Sequence, residues 1–188
     1  MTAPQASASY TPVAKGFHWI VALIWIAAWS LGFTAAHGPE AINPDHVLTG
    51  AHKAIASTVI VLTALRLLWR LTHRPPALPE TMSPLAQNLA HLGHVLLYAV
   101  ALIALPLSGW YWSSIAGRPV LLGGIIPLPP LAAPDPDLRA VARLIHLYTA
   151  WFCGALVLGH ILVAFKHHFI DRDDILLRMT HARRQPGR

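Results

Sequence analysis

Histidines 146 and 160 close the two ends of the stretch HLYTAWFCGALVLGH, within which no residue carries a formal charge. Neutral imidazole is a metal ligand, and its proton exchanges near neutral pH. Ionisable groups in so apolar a run are costly, and for that reason they usually mark function. If the stretch is helical, fourteen residues at 100° make about 1400°, roughly 40° short of four full turns, with a rise of about 21 Å. Both rings then lie on one face, near opposite ends of an apolar layer. One such histidine alone reads equally well as a hydrogen-bonded core residue; two at this spacing ask for partners on other elements.

The elements that must supply them are membrane spans. Of the 188 residues 55% are hydrophobic and only 12% charged, about half the charged share of an ordinary soluble domain. A soluble nucleic-acid binder is excluded in spite of a net charge of +6. A single cysteine rules out a disulfide framework, a thiolate-held iron–sulfur cluster and a CxxCH attachment site. Four segments, at about 14–36, 48–70, 87–113 and 142–169, reach the roughly 20 residues that a helix needs to cross the hydrocarbon core. The connectors HGPEAINPD, HRPPALPETMSP and GRPVLLGGIIPLPPLAAPDPD carry the breakers expected between them. The fold class is therefore all-α, an integral-membrane four-helix bundle formed by one domain over 1–188.

Lysine and arginine placement sets an expected orientation. Arg66, Arg70 and Arg74 end the second span, and Lys166, Arg172, Arg178, Arg183, Arg184 and Arg188 follow the fourth, so both regions belong on the cytoplasmic side with the two termini. The stretch Thr34 to Ala51 has neither residue type and belongs outside. Arg118, Arg139 and Arg143, before or at the start of the fourth span, run against the rule. A cleaved leader is the competing reading of the first span, with Lys15 as its charged region and Thr34-Ala35-Ala36 as its small-residue site. The apolar run is long for a leader, and cleavage would discard His18.

With this orientation the histidines pair by depth. His18 lies about a turn inside the cytoplasmic start of span one, level with His160, and His52 lies about a turn inside the outer start of span two, level with His146. Two facing imidazoles near each surface suit two b haems, each iron taking one nitrogen on either axial side. Zinc would require a third or fourth ligand at each pair. Cys153, seven residues from each histidine of span four, falls midway on the same face, where ordinary packing explains it at least as well as redox chemistry.

Other polar residues admit two readings each. Arg66, fourteen residues after His52, is placed to pair with propionates of the inner haem or to snorkel to headgroups. Lys53, Arg139 and Arg143 form a basic collar around the outer pair, able to neutralise propionates or steer small anions, or else serve as loop charges balanced by Asp135 and Asp137. His91 and His94, with His167 and His168, cluster near the cytoplasmic surface as proton carriers for a quinone or as part of an interfacial belt. His37, His73 and His181 read as loop or tail residues, and His46 is a weaker rival to His52.

In order along the chain, FHWI at 17–20, TGAH at 49–52 with Arg66 fourteen residues on, LAHLGH at 89–94, ALPLSG at 104–109, the pair His146 and His160, and KHHF with DDILLRM at 166–179 resemble the prokaryotic cytochrome b561 family. The resemblance covers about residues 10–180. It implies non-covalent bis-His haem b at His18 with His160 and at His52 with His146, the pairs that depth alone selects. It also implies electron transfer across the bacterial inner membrane between an outer donor and ubiquinone at the inner side. In one branch the donor is superoxide, whose negative charge suits the basic collar; other relatives serve as haem-bearing carriers for dehydrogenase or hydrogenase partners. The first expectation is thus a superoxide:ubiquinone oxidoreductase, and the second an electron-transfer subunit that docks a redox protein through the proline-rich loop 114–140. A histidine-relay transporter is disfavoured because the histidines pair by depth and form no continuous path.

Overall fold

A computed structural model describes residues 9–79 and 82–180; His181 and the arginines at 183, 184 and 188 lie outside them. Four helices long and apolar enough to cross a membrane make up the bundle. Span one is α1 (Pro12–His37) and span two is α2 (Val47–Thr72), entered through short 3-10 turns from Glu40 to His46. Span three joins α3 (Pro84–Leu96), a π-helical stretch (Leu97–Ala104) and α4 (Leu105–Ile115). Span four is α5 (Arg139–Lys166), continued by a π-helical turn to Asp171.

Each span runs past its expected bounds at both ends, because capping chemistry extends the helices beyond the apolar run. Thr11 accepts the Ala14 amide ahead of Pro12, and Ser83 accepts the Ala86 amide ahead of Pro84. In both, proline stands at the first helical position, where its missing N–H costs nothing.

The π-helical stretch has a local cause and a tertiary use. Pro106 cannot donate to the helix, and the Leu105 amide reaches back five residues to Val100. The Ala101 carbonyl, released from its usual partner, accepts Trp25 Nε1 at 3.0 Å. Four residues further along α1, Trp29 Nε1 donates to Ala150 O at 2.9 Å, its ring lying where a side chain at Gly154 would stand. Two tryptophans of span one thus tie it to spans three and four through backbone carbonyls.

The loop between spans three and four is more ordered than its proline content implies. Leu121–Leu122 and Ile126–Pro127 pair as an antiparallel hairpin, β1 and β2, turned by Gly123 and Gly124 at positive φ. The hairpin leans on α2: Ser57 Oγ accepts the Gly123 amide at 3.2 Å, and the same hydroxyl lies 3.3 Å from the Leu121 carbonyl. At the opposite end of the bundle, α6 (Ile175–Thr180) folds back over the start of the chain. Trp19 Nε1 donates to Met179 O, Ser9 Oγ to Arg178 O, and the Arg178 guanidinium to Ala77 O.

Candidate functional site

Three helices repeat one pattern in steps of seven residues: His18, Trp25 and Gly32 on α1; His52, Val59 and Arg66 on α2; His146, Cys153 and His160 on α5. Seven residues fall about 20° short of two turns, so each set keeps to one face. The middle members, Trp25, Val59 and Cys153, close the buried centre of the bundle together with Ala101 and Leu105. Cys153 is 0% exposed. The end members meet above and below this plug.

At one end the rings of His52 and His146 face each other with centroids 6.2 Å apart. His52 Nδ1 lies 2.7 Å from the Ala28 carbonyl, which only accepts, so this nitrogen carries the proton. His146 Nδ1 lies 3.0 Å from Ser108 Oγ, and that hydroxyl gives its own proton to Leu105 O at 2.7 Å. His146 Nδ1 is therefore also the donor. Both Nε2 lone pairs are left free, the tautomer of a histidine that binds a metal through one nitrogen while donating from the other. Glycines make room behind the rings: a Cβ at Gly32 would stand 2.8 Å from His52 Cε1, and one at Gly109 would stand 2.8 Å from His146 Cε1.

At the other end the His18 and His160 centroids are again 6.2 Å apart. The surroundings differ, however. Arg66 Nη2 lies 3.3 Å from His18 Nδ1, and because a guanidinium only donates, His18 Nδ1 is here the acceptor. His94 packs edge-on against His160, with ring centroids 5.5 Å apart.

A cavity opens around the first pair, lined by His52, His146, Trp112, Lys53, Arg118 and Arg139 among others. Trp112 Nε1 is buried and has no partner among the described residues. Two members of the anticipated collar, Lys53 and Arg139, thus reach the cavity, whereas Arg143 is exposed and does not line it. Asp135 is engaged elsewhere, accepting the amides of Asp137 and Leu138. Of the four histidines anticipated near a quinone, only His94 touches a ligand candidate. His91 is exposed on α3, His167 Nδ1 is held by Asp173 at 2.6 Å, and His168 packs on Phe169.

Several participants escaped the sequence reading. Arg118 counted there only as a loop charge. Ser108 and Gly109 sit inside the ALPLSG motif without a stated role. Gly32 follows His18 by fourteen residues, the interval that singled out Arg66 and His160, and the same arithmetic would have found it.

The model of the family described as prokaryotic cytochrome b561 matches residues 9–182. The chain belongs to that family. It is a haem-b cytochrome of the inner membrane, of the kind that carries electrons across it. Among relatives of this cytochrome b561, "Cytochrome b561 homolog 2" of Escherichia coli (strain K12) is 31% identical over 170 residues, covering 90% of each chain. "Probable superoxide oxidase CybB" of Yersinia pestis is 30% identical over 175 residues, covering 93% of this chain and 97% of its own. "Cytochrome b561 homolog 1" of Escherichia coli (strain K12) is 25% identical over 167 residues, or 89% of this chain and 94% of its own.

Proposed function

We propose that this cytochrome b561 holds two b haems, one between His52 and His146 and one between His18 and His160, and acts as a superoxide:ubiquinone oxidoreductase with both termini in the cytoplasm. The observation that carries the reading is the facing of two imidazole pairs at opposite ends of one bundle, with the same 6.2 Å ring separation. Each pair would offer an iron one neutral imidazole nitrogen from either ring. The buried Trp112 N–H beside the first pair supplies a donor for a propionate. These residues fit the group, and haem bound between them supplies one-electron redox chemistry.

The protein's residues do the rest. Ala28 and Ser108 hold the outer imidazoles in the ligating tautomer. Were His18 to hold a haem through Nε2, its Nδ1 would carry the proton, and Arg66 would be the residue to hold a propionate carboxylate by charge-assisted bonding. Lys53, Arg118 and Arg139 concentrate small anions at the outer cavity, which suits superoxide. In the net reaction two superoxide anions each lose one electron and leave as oxygen, while one quinone takes up two electrons and two protons and leaves as quinol. The orientation follows from the arginines and lysine at the His18 end: Arg66, Arg70, Arg74, Lys166, Arg172 and Arg178.

A second reading, a carrier that docks a separate redox protein, draws on the exposed apolar hairpin tip, where Ile125 is 81% and Ile126 58% exposed. Steady-state assay of the purified, haem-loaded protein decides between them. Superoxide-driven quinol formation without any partner is the expected result. Haems that superoxide leaves oxidised, or that pass no electrons to quinone unaided, would sink the oxidoreductase reading and favour the carrier.

A further inference from the structure

A second cavity lies at the His18 end, between α1, α2 and span three; Tyr10, Arg66, Trp69, Arg70, His73 and Tyr98 are among its polar and aromatic lining, and neither His94 nor His167 lines it. It begins one side chain from a haem-ligand candidate, because Arg66 both lines it and contacts His18. It reaches outward to the loop at Pro75 and Pro76.

Its chemistry is one-sided. No carboxylate lines it among the described residues, so it offers donors and positive charge and asks for an acceptor. Trp69 Nε1 is buried without a partner among the described residues, the kind of orphaned donor that folded proteins rarely leave unused. The Trp69 ring is fixed by stacking on His73, with centroids 3.7 Å apart and planes 7° from parallel. The Tyr98 ring lies under two guanidinium groups, 5.1 Å from Arg66 and 5.5 Å from Arg70. Burial raises the Tyr10 phenol above its usual range, against the pull of Arg70, so it keeps its proton as a further donor. Ser9 and Met179, which line the cavity, belong to segments tied together and to Ala77 through Arg178 and Trp19.

We infer that this cavity is where the quinone ring binds and is reduced, its carbonyl oxygens accepting from Trp69 Nε1 and the neighbouring guanidinium or phenol donors. The inference rests on the quinone-reductase reading above and locates its acceptor site in a cavity that none of the four anticipated histidines lines. A planar ring with acceptors at its edge suits a slot of aromatic walls and donors. Arg70 and Arg74, which also line the cavity, offset the negative charge that arrives with electrons. Reduction here takes up two electrons, those surrendered by the outer donor, and two protons from water at the exposed His73 side, and the product leaves as hydroquinone.

The test uses the full-length, haem-loaded protein and an azide-bearing short-chain benzoquinone. Photolabel on peptides carrying Tyr10, Trp69 or Tyr98, displaced by the unlabelled quinone and not by phosphatidylglycerol, is expected. Label on the α3 or α5 histidines overturns the assignment, and displacement by the phospholipid makes the cavity a headgroup site. Trp69→Phe, which keeps the stacked ring and removes the donor, is expected to hold its full haem content while quinone reoxidises its reduced haems roughly tenfold more slowly, the effect of one lost hydrogen bond. A lost haem would show that the donor serves a propionate, and an unchanged rate would show that it serves nothing; either overturns the inference. If the label lands as expected but the parent's haems never reduce quinone, the cavity stands and the oxidoreductase reading falls.

Discussion

Two imidazole pairs with equal ring separation are set differently. His52 and His146 have both Nδ1 protons committed to acceptors, whereas His18 Nδ1 is approached by Arg66. Replacing His160 or His18 by alanine should therefore remove one haem and leave the other, as counted by haem-to-protein ratio; retention of both in either variant would show the pairs to be wrong. Gly109→Ala tests the room behind a ligand. Its Cβ would stand 2.8 Å from His146 Cε1, so the ring has to shift, at about 1–3 kcal/mol if the backbone does not yield. The expected result is an altered or lost outer haem signal beside an unchanged inner one in low-temperature absorption spectra. The pairing of His18 with His160 and of His52 with His146 was legible from spacing and depth because a helix converts residue count into both angle and height. Their hydrogen-bond partners were not, because Ala28 O and Ser108 Oγ belong to other helices and nothing in their residue types announces the contact.

At the scale of elements, the spans were legible from apolar run length, and the details that lock them together were not. The π-helical stretch beside Pro106 has a sequence trigger, but its use depends on Trp25 arriving from span one to take the Ala101 carbonyl. Trp25→Phe leaves that buried acceptor unsatisfied and should destabilise the fold by about 1–3 kcal/mol, read as a lower thermal midpoint in detergent. A midpoint equal to the parent's would mean that the carbonyl finds another partner. The hairpin Leu121–Pro127 was hidden because the stretch from Pro119 to Pro134 contains no polar side chain and hence no alternation to signal strands. Its seat is Ser57, 4% exposed and bonded to both its amide and its carbonyl neighbours. Ser57→Ala should release the hairpin at a cost of about 1–2 kcal/mol, detectable as faster amide exchange at Gly123 and Gly124 with α2 unaffected. Equal protection in both proteins would show that packing alone holds the hairpin.

Across the whole molecule, function depends on charge and on the path between the two ends. The cavity at the His52–His146 pair gathers Lys53, Arg118 and Arg139. Arg118→Glu combined with Arg139→Glu should slow reduction of the haems by superoxide, up to about tenfold at low ionic strength and less in salt, since screening shortens the reach of surface charge. Arg143→Glu, which changes a residue outside the cavity, is the control; equal slowing would assign the effect to overall charge. The sequence by itself determined a membrane bundle and the family, and singled out four histidines as candidate ligands, because apolar length, helical angle and motif order are local properties that survive without neighbours. Tertiary structure decided which polar groups converge: Arg66 on His18, Arg118 instead of Arg143 at the His52–His146 cavity, and Tyr10, Trp69 and Tyr98 around the cavity at the His18 end. Those groupings join residues far apart in the chain, and only the packing of helices against each other, with backbone carbonyls as the fastening points, sets their distances.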